Sequence, residues 1–72
     1  MKAIDKVSIM VDRQYRSTGD MPKSIHMTKK FAIELVSDMR IELEDLKTFD
    51  EVDVFIEDPK RNPHSGEFYL KT

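Results

Sequence analysis

Cysteine and tryptophan are absent from this chain, and its 72 residues include only two glycines and three prolines. The lack of cysteine excludes disulfide staples and thiolate metal sites. Gly19 and Gly66 stand alone, so there is no phosphate-cradling glycine loop. The run His64-Ser65-Gly66 is not the Gly-x-Ser-x-Gly elbow of a serine hydrolase. No apolar run approaches the roughly 20 residues of a membrane span. The opening MKAIDKVSIMVDR spaces its charges too closely for the apolar core of a signal peptide. These absences lead to the expectation of one small cytoplasmic domain over residues 1–72, with no cofactor. A chain this short buries roughly 60% of its unfolded surface, so its core is thin unless a partner or a second copy adds to it.

Charge is plentiful and unevenly spread. Charged residues make up 36% of the chain, with a net charge of −2. Residues 1–31 carry seven Lys or Arg against three acids, whereas residues 32–58 carry two against ten. A nucleic-acid binder is more often basic overall; this chain is basic only in patches.

The hydrophobic pattern predicts an α+β fold in the order β-α-β-β. Residues 3–13 alternate, with Val7, Ile9 and Val11 on one side and Lys6, Ser8, Met10 and Asp12 on the other, as in a strand with one buried face. Residues 14–27 read as a loop around Gly19 and Pro22. Thr28 is the candidate N-cap of a helix running to Lys47, whose apolar stripe is Phe31, Ala32, Leu35, Val36, Met39, Leu43 and Leu46. Residues 51–57 and 67–71 alternate again and predict two strands joined by a hairpin loop, DPKRNPHSG. One helix would then cover one face of a three-stranded sheet. Met10, Phe55 and Tyr69 would lie on the uncovered face.

Three surfaces stand out as candidates. Glu34, Asp38, Ile41 and Asp45 are spaced four, three and four apart, with Glu42 at the border, which on a continuous helix makes an acidic stripe around an apolar anchor. Acids near a helix C-terminus and like charges at i,i+4 disfavour the helix slightly, so folding alone does not account for them. A stripe of this kind suits a protein partner with a basic surface. Arg13, Tyr15, Arg16, Lys29 and Lys30 form a second set, suited to phosphate contacts beside aromatic stacking on the open sheet. Met10, Phe55 and Tyr69 form a third, suited to a homodimer face.

No catalytic residue is indicated. Carboxylate pairs are many, but a domain of this size rarely encloses the cleft that separates their pKa values. His26 and His64 lack the spacing of metal ligands and read as loop histidines. The expectation is a non-enzymatic protein-binding module, an inhibitor or adaptor of a larger complex. The alternatives are a small nucleic-acid-binding protein and a structural homo-oligomer subunit. In size, charge and lack of motifs the chain resembles small phage-encoded proteins that bind and inhibit host machinery.

Overall fold

A computed structural model describes residues 1–57 and 67–72. The expected loop over 58–66, with Lys60, Arg61 and His64, lies outside the described residues. The described elements are α1 (Ala3–Thr18), β1 (Ser24–Thr28), α2 (Lys29–Met39), a 3₁₀ turn (Leu43–Asp45), β2 (Thr48–Phe49), β3 (Val52–Glu57) and β4 (Phe68–Lys71). The α+β class holds, with two helices and four strands among the described residues in place of one and three. Among the described residues no helix is long and apolar enough to cross a membrane.

Residues 3–18 form a helix, not the strand their alternation predicts. Ala3, Val7 and Val11 are its buried positions, each four apart. Four is close to one helical turn and is also an even number, so these residues satisfy both periods. Ile9 separates the two readings: a strand would bury it beside Val7, yet it is 43% exposed. Gly19 closes α1 at φ +81°, a left-handed conformation that costs glycine little, and its N–H bonds the Tyr15 carbonyl at 2.7 Å.

β1 occupies what reads as loop. Ile25 and Met27 point to the helices and are fully buried, while Ser24, His26 and Thr28 alternate to the other face. Thr28 then caps α2 as expected, its hydroxyl accepting from the Phe31 N–H at 3.2 Å. However, α2 stops at Met39. Arg40 takes φ +60°, and the N–H groups of Arg40 and Ile41 bond back to Ser37 and Val36 in a Schellman closure. Leu43 and Leu46 still turn inward, but from the 3₁₀ turn and the segment after it.

The sheet order is β2-β3-β1-β4. β1 runs parallel to β3, the pair that the α2 crossover joins, and antiparallel to β4. The two predicted C-terminal strands therefore form, but β1 lies between them. β2 and β3 make a separate hairpin over Asp50 and Glu51, both at positive φ (50° and 67°), as a two-residue type I′ turn requires. The core draws on both helices and on one face of the sheet: Val7, Val11, Phe31, Leu35, Ile25, Met27 and Val52 lie at its centre. Phe68 closes it, stacked on Phe31 at 4.9 Å.

Candidate functional site

On the sheet face away from the helices, strand register sets three rings in a row. Phe55 and Tyr69 are the cross-strand neighbours of His26. Their centroids lie 5.2 and 5.0 Å from the imidazole, at interplanar angles of 21° and 10°. The rings stand on edge like books on a shelf, so both faces of the imidazole are covered and His26 is only 7% exposed. Phe55 and Tyr69 share the open face, as the sequence predicts. His26, expected in a loop, completes the row.

A polar chain runs along the same face. Glu57 Oε1 lies 2.5 Å from His26 Nδ1, and Glu57 Oε2 accepts the Tyr69 hydroxyl at 2.9 Å. A carboxylate can only accept, so Nδ1 donates to Glu57, and Nε2 meets the Ser24 hydroxyl at 2.8 Å. Partial burial would raise the Glu57 pKa. Hydrogen bonds from His26 and Tyr69 and attraction from His26 and Lys71 outweigh it and hold the carboxyl below its ordinary value. Burial, the hydrogen bond to Glu57 and that group's charge push the Tyr69 phenol up. The chain of contacts ties β3, β1 and β4 together through side chains.

Ser24, His26 and Glu57 have the connectivity of an acyl-transfer triad. The setting differs from one. Ser24 is 8% exposed and lies on a strand flanked on both sides. The N–H groups of β1 therefore point along the sheet into β3 and β4, and not up towards an oxyanion above the face. Among the described residues no group of three His, Asp or Glu is placed to hold a metal ion.

A second feature lies at the β4 edge. Between α1 and β4 runs a mainly apolar groove of about 710 Å³, lined by Ile9, Met10, Arg13, Phe68, Tyr69 and Leu70, with Lys6 at its margin. Lys6 is held by Glu67 at 3.2 Å. Arg13, by contrast, has no ion-pair partner among the described residues, while its neighbour Arg16 pairs with Asp12.

The expected site residues are distributed across these features. Met10 is on α1, not on a strand, so the trio Met10, Phe55 and Tyr69 is divided: Met10 and Tyr69 line the groove, while Phe55 lies on the open face. Arg13, Tyr15 and Arg16 are exposed on α1, and Lys29 and Lys30 start α2, on the helical side of the sheet. The acidic stripe does not form as one helical face. Glu34 and Asp38 are on α2, but Ile41, Glu42 and Asp45 follow its end. Asp38 also has a folding role: its Oδ2 accepts the Ile4 N–H at 3.3 Å, at an N-terminus where Lys2 gives no side-chain cap. Sequence reasoning missed Ser24 and His26. The signal was present in Ile25 and Met27, whose period-two spacing marks a short strand with Ser24 and His26 on its other face.

The chain matches no protein-family model, no curated protein and no solved structure.

Proposed function

We propose that this chain is a non-enzymatic protein-binding module that receives an apolar, acidic segment of its partner in the groove between α1 and β4. One observation carries the reading: exposed Ile9 and Met10, two apolar side chains that the fold leaves outside its core, flank this groove. Charge supports it. The acids Glu44, Asp45, Asp50, Glu51 and Asp53 gather around the β2 end of the sheet, whereas Arg13 and Lys71 stand by β4 at the other, where Glu67 is paired with Lys6. An acidic segment is thus drawn to the groove and repelled from the opposite edge.

The earlier candidates weigh less. Glu34 and Asp38 remain one turn apart, but Asp38 caps α1, and the apolar anchor Ile41 is off the helix. Base stacking on the open sheet needs free ring faces: His26 has both of its own covered, and half-exposed Phe55 stands between Asp53 and Glu57, whose charge repels phosphate. Catalysis by Ser24 would lack backbone donors for the developing charge.

Differential capture from native lysate tests the reading. Replacing Met10→Asp removes the captured partner, and replacing Glu34→Lys leaves it in place. The reverse pattern moves the interface to α2 and overturns the groove.

A further inference from the structure

The manner in which a partner fills this groove follows from the strand that forms its floor, and it rests on the reading just given. We infer that β4 templates an added strand: an extended partner segment pairs with its outer edge, sets alternate apolar side chains in the groove and offers a carboxylate to Arg13.

Sheet order makes β4 an edge strand, paired with β1 alone among the described residues. The Thr28 N–H bonds the Glu67 carbonyl at 3.1 Å, which fixes the alternation of the antiparallel ladder. Glu67, Tyr69 and Lys71 thus turn their backbone groups towards β1, and Phe68 and Leu70 turn theirs outward. Exposed edges are usually blunted by charge, proline or a bulge. The run Phe68-Tyr69-Leu70 has none of these, and Lys71 guards only its end. The opposite edge, β2, is two residues long and offers little to pair with.

A docked helix would fill apolar space but leave the outward N–H and C=O groups of Phe68 and Leu70 without partners. A strand satisfies them and places every second side chain against Ile9 and Met10. Charge complementarity sets the composition. Arg13 overlooks the groove without an ion-pair partner among the described residues, and its planar fork matches a carboxylate.

A random twelve-residue peptide library displayed against the intact protein gives the test, followed by hydrogen exchange with a synthetic copy of a selected peptide. The expected selection has apolar residues at alternate positions with an Asp or Glu. The bound peptide slows exchange at the Phe68 and Leu70 amides. Arg13→Glu weakens binding by about tenfold or more. Apolar residues three and four apart, or unchanged exchange in β4, would overturn strand addition while leaving the groove as the site. Equal selection by the wild type and a Met10→Asp variant would overturn both. A concentration-dependent dimer that protects the same two amides without peptide would assign the edge to a second copy and overturn the partner-strand assignment.

Discussion

His26 shows how a polar side chain becomes structural through its neighbours. Rings on both flanks shield it, and Ser24 and Glu57 take up its nitrogens. The consequence is a defined pH dependence. The Glu57 carboxyl is held below its ordinary value of 4.5, so the charged form is favoured by folding. Its contribution is present above that value and is lost as pH falls through the lowered pKa. Tyr69 is raised above its ordinary 10.0, so its contribution is present below that value and is lost as pH rises through the raised pKa. Denaturant melts across pH should show that Glu57→Gln flattens the acid limb and Tyr69→Phe flattens the alkaline limb. Asp38 supplies a contrast on the other side of the sheet. Asp38→Ala should lose about 1 kcal/mol by removing the acceptor for the Ile4 N–H, measured by urea unfolding. Glu34→Ala, which removes an exposed like charge one turn away, should change stability by less than about 0.5 kcal/mol.

At the level of elements, legibility depended on whether one period alone fitted. β3, β4 and the start of α2 were readable because Val52, Val54, Phe68 and Leu70 alternate and Thr28 offers a cap. α1 reads as a strand because its buried positions lie four apart; Ile9, apolar but exposed, and Ile4, packed on the core three residues before Val7, are what separate the two periods. β1 was missed because its outer face is polar, and only the tertiary contacts of His26 show why a central strand tolerates that. The two turns that end α2 and join β2 to β3 use Arg40, Asp50 and Glu51 at positive φ, where glycine is the usual signal. That chemistry has no sequence mark, so periodicity alone continues the helix to Lys47 and sets the acids beyond Met39 on its stripe. It also makes a prediction. Arg40→Gly and Glu51→Gly should each raise stability by about 0.5–1 kcal/mol in chemical denaturation, since glycine relieves left-handed backbone.

Across the whole molecule, the charge imbalance between the two halves of the sequence becomes a polarity across the sheet. Acids collect around the β2 hairpin, and Arg13 and Lys71 stand beside β4, where Glu67 is paired with Lys6. The sequence revealed the imbalance but not its direction, because that depends on which strand ends up at each edge. The apolar groove was equally hidden, since it is made by α1 lying along β4, elements some fifty residues apart. Partner binding there should weaken as salt rises, because exposed charges steer the encounter and are screened within about 10 Å at 0.1 M. The most direct measurement places a photo-crosslinking amino acid at position 10 in one variant and at position 34 in another, and irradiates both in native lysate. A discrete covalent adduct from position 10 and none from position 34 is the expected result. An adduct from position 34 alone would contradict the account.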